Sequence, residues 1–269
     1  MKLHGKVAVV LGASAERGTG WAIAEALAAE GAKVVVAARS LEPLQKLASK
    51  IGGTAVRCDA SSETDIEQLM KTTVDTYGSL DIAVNAAGLP VMGPIAQTTP
   101  EALQTAVGTN FFGNAYFIKH VGERMSDGGS IIIISSASTT NVVEPHFAYA
   151  SAKAATDCMV RYAALEYGRR GIRVNSILPG AILSDMTWDY YSNEQVRARF
   201  EDEIPLGRIG MPQDFADAVV WLAGPAYATG LNLQLNGGQY LTRFPRPSET
   251  DVDPESSGKP LHDRTQSSI

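Results

Sequence analysis

Cysteine and histidine are scarce in this chain of 269 residues, which contains two cysteines and four histidines. The cysteines, Cys58 and Cys158, lie about a hundred residues apart, so they do not form the framework of a disulfide-rich fold. This scarcity favours a reducing compartment, and we expect a cytoplasmic protein. The histidines are scattered without metal-ligand spacing, and we therefore expect no metal site.

Long apolar runs and an excess of positive charge are also lacking. The first uninterrupted apolar run covers residues 7–11, whereas a signal-peptide core needs about 7–15 residues and a membrane span about 18. The net charge of −6 and the missing basic run argue against a nucleic-acid partner. We expect neither a membrane nor a nucleic acid as a partner.

Short apolar runs alternate with longer amphipathic segments over most of the chain, a pattern typical of βαβ units. It predicts an α/β protein with a single Rossmann-type, doubly wound parallel sheet of about seven strands and helices on both faces. The predicted strands cover residues 6–11, 33–38, 54–58, 80–85, 130–135, 172–178 and 231–235. The predicted helices cover residues 21–30, 41–51, 62–77, 100–125, 149–167 and 213–222.

The composition changes near residue 244, after which Pro, Ser, Asp and Glu dominate. We therefore expect one dinucleotide-binding and catalytic domain over residues 1–243. Residues 244–269 are predicted to be a polar tail that is either disordered or packed on a neighbouring subunit.

A glycine-rich turn lies between the first predicted strand and the first helix. It contains Gly12, Ser14, Arg17, Gly18 and Gly20. Glycines at such a turn let the backbone approach a pyrophosphate, whose charge the helix N-terminus stabilises. The turn therefore predicts a dinucleotide site.

The residues at the end of the second predicted strand indicate which dinucleotide binds. A carboxylate there would accept from a ribose 2′-hydroxyl, but this chain has Ala38 followed by Arg39. With Arg17 in the glycine turn, two guanidinium groups are typical of a 2′-phosphate pocket, which predicts NADP. The alternative is that both arginines are solvated surface residues.

Tyr149 and Lys153 lie four residues apart in a predicted helix, and Ser136 precedes the tyrosine by thirteen residues. At that spacing the two side chains share one helix face, and a nearby ammonium lowers the pKa of a tyrosine. The three residues predict a site for proton transfer. A surface Tyr–Lys pair is the alternative reading of the spacing alone.

With these motifs in register, residues 3–240 resemble the short-chain dehydrogenase/reductase family. The resemblance makes Ser136, Tyr149 and Lys153 catalytic, with Lys153 also holding the nicotinamide ribose and Asn110 anchoring a water beside it. It also implies cofactor contacts at Asp59, Asn85, Gly88, Pro179, Gly180, Ile182 and Ser184, besides Tyr149, Lys153, the glycine turn and Arg39. Each of Asp59, Asn85, Gly88, Asn110 and the Pro179-Gly180 pair could instead serve only its local turn or helix.

The family pattern is not reproduced throughout. Five residues separate Gly12 from Gly18, where the ordinary pattern has three, and this spacing resembles the enoyl-reductase branch. That branch places its lysine seven positions after its tyrosine, so the Tyr149–Lys153 spacing favours carbonyl reduction.

The resemblance implies hydride transfer between NADP(H) and a carbonyl or secondary alcohol. An NAD-dependent alcohol dehydrogenase, an enoyl reductase and a catalytically inactive nucleotide-sensing scaffold are the alternatives. Family members usually form dimers or tetramers, so we expect a homo-oligomer.

The substrate side is predicted from residues 184–206, which we expect to form a lid over a small, cyclic or aryl-bearing substrate. The side chains flanking the site are Met92, Glu144, His146, Phe147, Trp188, Tyr190 and Tyr191. Packing within a lid or the core is the alternative role for each of them.

Overall fold

The computed structural model of the chain describes residues 1–250 and contains one sheet of seven parallel strands. The strand order is β3-β2-β1-β4-β5-β6-β7, which confirms the predicted doubly wound architecture. The strands are β1 (Val7–Leu11), β2 (Lys33–Ala38), β3 (Thr54–Arg57), β4 (Ile82–Asn85), β5 (Ser130–Ile134), β6 (Arg173–Pro179) and β7 (Asn232–Leu235).

The sheet reverses its winding direction at β1, which pairs with β2 on one side and β4 on the other. Val9 on β1 is in register with Val35 on β2 and with Ala83 on β4. In open parallel sheets, ligands bind outside the carboxyl ends of the strands at such a reversal point. The topology therefore places a binding crevice above Leu11 and Asn85.

Helices cover both faces of the sheet, because successive strand residues point to opposite sides. Ala8 and Val10 belong to one core with α1 and α9, while Val9 and Leu11 belong to a second core with α3 and α5. The helices are α1 (Thr19–Ala29), α2 (Leu41–Ile51), α3 (Glu63–Tyr77), α4 (Pro100–Val107), α5 (Gly113–Arg124), α6 (Phe147–Tyr167), α7 (Trp188–Tyr191), α8 (Glu194–Asp202), α9 (Pro212–Ala223) and α10 (Pro247–Thr250).

The segment predicted as one helix over residues 100–125 is divided in the structure. A π-helical turn, Gly108–Phe112, separates α4 from α5. Alternation of apolar and polar residues does not reveal a π-turn, because it adds only one residue to a helical turn. The turn matters because Asn110 lies within it.

Packed structure continues beyond residue 243, where the composition changes. The Phe244 ring packs edge-on against Phe200 of α8, with centroids 6.5 Å apart, and Arg243 bridges Glu203 at 2.8 Å. The rest of the predicted tail, residues 251–269, lies outside the described residues. Within residues 1–250, no helix is both long and apolar enough to cross a membrane.

Candidate active site

The predicted site residues follow the carboxyl ends of six neighbouring strands, β1 to β6, and so surround one crevice. The glycine turn follows β1, Arg39 follows β2 and Asp59 follows β3. Asn85 ends β4, Ser136 follows β5, and the segment 179–184 continues from β6. Parallel strands thus bring together residues that are up to about 170 positions apart in the sequence.

The glycine turn fits tightly against the loop after β4. Gly12 has a φ of +92°, and a Cβ there would overlap the backbone of Ala87; a Cβ on Gly20 would overlap the Gly12 carbonyl. Gly18 is the N-cap of α1 and provides no side-chain cap, so the first amides of the helix are open to an anion. These features fit the pyrophosphate of a dinucleotide, and the partly buried Ser14 lies in the same turn.

Arg39 and Asp59 face each other at the ends of β2 and β3. Burial raises the pKa of Asp59, but hydrogen bonds from Ser61 and the charges of Arg39 and Arg57 lower it further, so its pKa falls below its usual range. Both the backbone amide and the hydroxyl of Ser61 donate to Asp59 Oδ1, at 2.9 and 2.7 Å. Asp59 thus caps its own turn while it lies near the Arg39 guanidinium.

Arg17 points across the crevice and contacts the predicted lid. Its Nε donates to Asp185 Oδ1 at 2.6 Å, and its backbone amide donates to Asp185 Oδ2 at 3.0 Å. Its guanidinium lies 4.1 Å from the centroid of the Trp188 ring. In this structure, Arg17 therefore ties the glycine turn to α7.

Ser136, Tyr149 and Lys153 meet at the ends of β5 and α6. The Tyr149 hydroxyl hydrogen-bonds with Ser136, and the Lys153 Nζ lies 5.8 Å from the centroid of the Tyr149 ring. Lys153 is only 2% exposed, and its Nζ donates to the Ile134 carbonyl at 2.8 Å. The arrangement can hold a carbonyl oxygen between two hydroxyl groups beside a buried ammonium.

Burial governs the titration of this cluster. It raises the pKa of Tyr149 to about 12, although the hydrogen bond with Ser136 lowers the value and the charge of Asp157 raises it. Burial also lowers the pKa of Lys153 to about 8, against the opposing effect of Asp157. Desolvation therefore sets the Tyr149 pKa above its usual value, rather than below it as the Tyr149–Lys153 spacing predicts.

Asn110 is buried in the π-turn and connects the loop after β4 to α6. Its side chain accepts from the Leu89 amide at 3.2 Å and donates to the Leu89 carbonyl at 2.9 Å. Its own carbonyl accepts from Asn114 Nδ2 at 2.8 Å and from Thr156 Oγ1 at 2.7 Å. The carbonyl therefore has both lone pairs engaged, and the side-chain Oδ1 is the better place for a water.

The loop after β4 is held by the same polar chain. Asn85 Nδ2 donates to Asn114 Oδ1 at 2.8 Å, and Asn85 Oδ1 accepts from the Ala87 amide at 3.0 Å. A Cβ built on Gly88 would lie 3.5 Å from Lys153 Nζ and 3.6 Å from Asn110 Oδ1. The Gly88 backbone therefore forms one wall of the crevice directly beside Lys153.

The segment beyond β6 is braced by the loop after β7. Gln239 is fully buried and its Oε1 accepts from the Ala181 amide at 3.2 Å, while a Cβ on Gly180 would overlap that oxygen. Pro179 ends β6, Ile182 bridges Gly210, and the Ser184 amide donates to Thr187 Oγ1. These contacts fix the backbone on the side of the crevice opposite the glycine turn.

The predicted lid residues have a small core of their own. Tyr191, Phe200 and Ile204 are buried there, and the Tyr191 and Phe200 rings lie 5.0 Å apart. Met186 and Trp188 are 63% and 39% exposed. Tyr191 thus packs inside the segment, whereas Met186, Trp188 and Leu206 keep accessible apolar surface.

Five residues of the site were missed in the sequence: Asn114, Thr156, Asp157, Asp185 and Gln239. Each is a polar residue with a partner at least 19 positions away. Only the helical spacing of Asp157 after Tyr149 and Lys153 offered a local signal.

Comparison with known proteins is consistent with this geometry. Residues 12–239 match a family model described as enoyl-(acyl carrier protein) reductase. The chain is 36% identical to 3beta-hydroxysteroid dehydrogenase 1 of Eggerthella lenta, over 89% of this chain and 95% of that protein. It is also 36% identical to the 3-oxoacyl-(acyl-carrier-protein) reductase FabG of Vibrio cholerae, over 90% of this chain and 100% of that protein.

A solved structure of a variant of actinorhodin polyketide ketoreductase with NADPH is similar throughout. It superposes with a TM-score of 0.81 at 30% identity and covers 87% of this chain and 97% of its own. The matched regions include the glycine turn, the Ser136–Tyr149–Lys153 cluster and the segment after β6. The chain therefore belongs to the short-chain dehydrogenase/reductase family, whose members are oxidoreductases acting on carbonyl and alcohol substrates.

Proposed function

We propose that this protein transfers a hydride between NADP(H) and the carbonyl or secondary alcohol group of a small substrate. The observation that carries the proposal is the meeting of Ser136, Tyr149 and Lys153 in one buried cluster beside the glycine turn and the loop after β4. When bound, the cofactor supplies or accepts the hydride. The side chains of the cluster orient the substrate and exchange the proton.

In the direction of reduction, Tyr149 donates its phenolic proton to the carbonyl oxygen, and Ser136 donates a hydrogen bond to the same oxygen. A phenol with a pKa of about 12 holds its proton at neutral pH, so the free enzyme is set up as the acid. In the direction of oxidation, tyrosinate must form, and the Lys153 ammonium is the neighbouring charge that favours it. A water at Asn110 Oδ1 would carry the released proton away from Lys153 in this direction and return a proton toward Lys153 in the direction of reduction.

The preference for NADP is supported at the end of β2. Ala38 offers no acceptor for a 2′-hydroxyl, and Arg39 offers a guanidinium to a 2′-phosphate. Arg17 is engaged with Asp185 and Trp188 in this structure, so Arg39 is the principal partner we assign to the phosphate. The NADPH of the similar ketoreductase structure supports the same assignment.

The substrate class is proposed from the exposed apolar side chains of the loop after β4 and of the predicted lid. Met92 after β4 and the pair Met186 and Trp188 before and within α7 offer flat or flexible apolar surface. Such surfaces fit a cyclic or aryl-bearing ketone better than a charged one. The steroid and polyketide names of two similar proteins point to the same class.

Enoyl reduction is the second candidate, favoured by the description of the matching family model and by the spacing of Gly12 and Gly18. The Tyr149–Lys153 pair opposes it, since one helical turn separates the two residues. Assaying the protein with a ketone and with an enoyl thioester at equal concentration discriminates between the two candidates.

We further propose that the protein is a cytoplasmic homo-oligomer, a dimer or tetramer. Both cysteines are free, as a reducing compartment allows. The outer face of α6 carries Tyr162 and Leu165 at 66% and 81% exposure, close to the exposed Phe112 at the end of the π-turn. A second copy would bury these side chains.

The proton donor is tested by Tyr149→Phe, which removes the hydroxyl and keeps the ring. We expect turnover of a ketone to fall by at least about 10²-fold, the lower range for a general acid. NADPH binding, followed by the fluorescence of the cofactor, should stay within a few-fold of the original protein. The matched control is Tyr162→Phe on the exposed face of the same helix, and near-normal turnover in Tyr149→Phe would refute the assignment.

A further inference from the structure

We propose that Asp157 is a positioning residue of the active site, whose buried carboxylate holds Lys153 as an ammonium ion. This role rests on the proposed function, because it concerns the charge beside the proton donor. Asp157 lies on α6 one turn beyond Lys153, as Lys153 lies one turn beyond Tyr149. The three side chains therefore form a column on one face of the helix.

Lys153 needs such a partner because nothing else compensates its charge. The amine is almost completely buried, and the acceptor of its hydrogen bond is a neutral carbonyl, that of Ile134. Within residues 1–250, no carboxylate lies within 4 Å of Lys153 Nζ. A buried ammonium without a nearby negative charge tends to lose its proton.

Asp157 is in turn held in place by the strands behind α6. It is 5% exposed, and its Oδ1 lies 3.1 Å from the hydroxyl of Ser176 on β6. That hydroxyl also lies 3.0 Å from Asn232 Oδ1 on β7. The cross-strand pair Ser176–Asn232 therefore fixes the position of the carboxylate relative to the helix.

Lys153 and Asp157 each have the other as their opposite charge. Burial raises the pKa of Asp157, and hydrogen bonds to neighbouring hydroxyls together with the Lys153 charge oppose this rise. Burial lowers the pKa of Lys153 to about 8, and Asp157 is the group that opposes this fall. The titratable groups in this column are Tyr149, Lys153 and Asp157; β5, β6 and β7 face it with hydroxyl and amide groups.

Neutralising Asp157 should therefore move the titration of Lys153 to lower pH. Two unit charges about 6 Å apart in a medium of effective dielectric constant 20 correspond to a shift of roughly one to two pH units. The same substitution changes the pKa of Tyr149 through two effects of opposite sign. Loss of the Asp157 charge directly favours tyrosinate, but loss of the nearer Lys153 charge disfavours it more.

The test is the pH dependence of NADPH binding by the full-length protein, measured from pH 7 to 9.5 by cofactor fluorescence. The negatively charged cofactor binds more tightly when Lys153 carries its charge, so affinity should fall through a midpoint near pH 8. Lys153→Met should abolish this transition, and its loss would assign the transition to Lys153. Asp157→Asn should lower the midpoint by about one pH unit or more.

Two further variants separate the charge from the structural role of Asp157. Asp157→Glu keeps the charge and should keep the midpoint near its original value. Ser176→Ala removes a hydrogen bond but no charge, and should move the midpoint by less than Asp157→Asn does. An unchanged midpoint in Asp157→Asn, or an equal shift in Ser176→Ala, would overturn the proposal.

The binding readout remains interpretable if the protein turns out not to reduce ketones, so failure of the proposed function is distinguishable from failure of the role of Asp157. If Asp157→Asn does not fold, Asp157→Ser replaces it in the same measurement. Unfolding of both neutral variants, with Asp157→Glu folded, would assign Asp157 to core stability and would also overturn the proposal.

Discussion

At the scale of single residues, burial shifts the pKa values of the two ionisable groups at the proposed site of proton transfer. Tyr149 and Lys153 are both buried, and desolvation shifts each pKa toward the neutral form of the group. Arg39, the proposed partner of the 2′-phosphate, is by contrast exposed at the end of β2. Replacing Arg39 alone should therefore change selectivity without disturbing the core.

We expect Ala38→Asp combined with Arg39→Ala to move the preference from NADPH toward NADH. The change adds a carboxylate that accepts from a 2′-hydroxyl and repels a 2′-phosphate, and removes one guanidinium. Loss of a charge-assisted hydrogen bond, worth about 1.5–3 kcal/mol, corresponds to a change of tens-fold or more in relative kcat/KM. Arg169→Ala, at an exposed position just after α6, is the control and should leave the ratio unchanged.

The cofactor hypothesis would be contradicted by the unmodified protein preferring NADH over NADPH. It would also be contradicted if the double variant retained the original preference while Arg17→Ala alone reversed it. The second outcome would assign the 2′-phosphate to Arg17, which contacts Asp185 in this structure.

At the scale of elements, the predicted lid is attached to the glycine turn through the exposed side chains of Arg17, Asp185 and Trp188. The Asp185 carboxylate accepts hydrogen bonds from both the side chain and the backbone amide of Arg17, and the Trp188 ring stacks on the Arg17 guanidinium. Behind this contact, α7 and α8 pack on Phe244 and on one another. The segment is thus internally cohesive and joined to the glycine turn at its edge.

We expect Asp185→Asn to make residues 184–206 more sensitive to limited proteolysis in the cofactor-free protein. An exposed ion pair stabilises by about 0.2–1 kcal/mol, so the cleavage rate should rise up to about five-fold, and added salt should reduce the difference. Asp189→Asn on α7 is the matched control and should change the rate little.

NADP⁺ together with a substrate should protect the segment in both proteins if it acts as a lid. Equal cleavage with and without ligand would indicate a helix pair packed permanently on the core. In that case, Met186 and Trp188 would lose their support as determinants of substrate shape.

At the scale of the whole molecule, α3, α5 and α6 cover the same face of the sheet, and their outer sides differ in character. The exposed side of α6 is apolar at Tyr162 and Leu165, whereas the outer side of α3 and α5 carries ion pairs such as Lys119–Glu63. Charged surfaces favour solvent, and contiguous apolar surfaces favour a partner. The proposed assembly therefore uses α6.

We expect the protein to have the mass of a dimer or tetramer in light scattering at micromolar concentration. Leu165→Glu should shift the mass toward a smaller species, because it places a charge at the centre of the proposed interface. Ile95→Glu, which alters an exposed apolar residue after β4, should leave the mass unchanged. A monomer mass for the unmodified protein would contradict the proposal.

The sequence by itself determined the strand–helix alternation and the positions of the short motifs. Apolar runs such as 7–11 predict buried strands because both of their faces must be covered, and seven strands were found in register. The start of α3 is equally local, since the Ser62 hydroxyl accepts from the Asp65 amide three residues on. Local rules succeed here because both partners lie within one turn or one strand.

Only the tertiary structure decided which distant polar groups meet. Asn110 hydrogen-bonds to Leu89, 21 positions away in the sequence, and Arg17 hydrogen-bonds to Asp185, 168 positions away. Asp157 accepts a hydrogen bond from Ser176 behind Lys153. It also decided that burial raises the pKa of Tyr149, since desolvation depends on everything packed around the ring. Spacing along one helix fixes which side chains share a face; how far each is removed from water depends on neighbouring elements that local spacing does not specify.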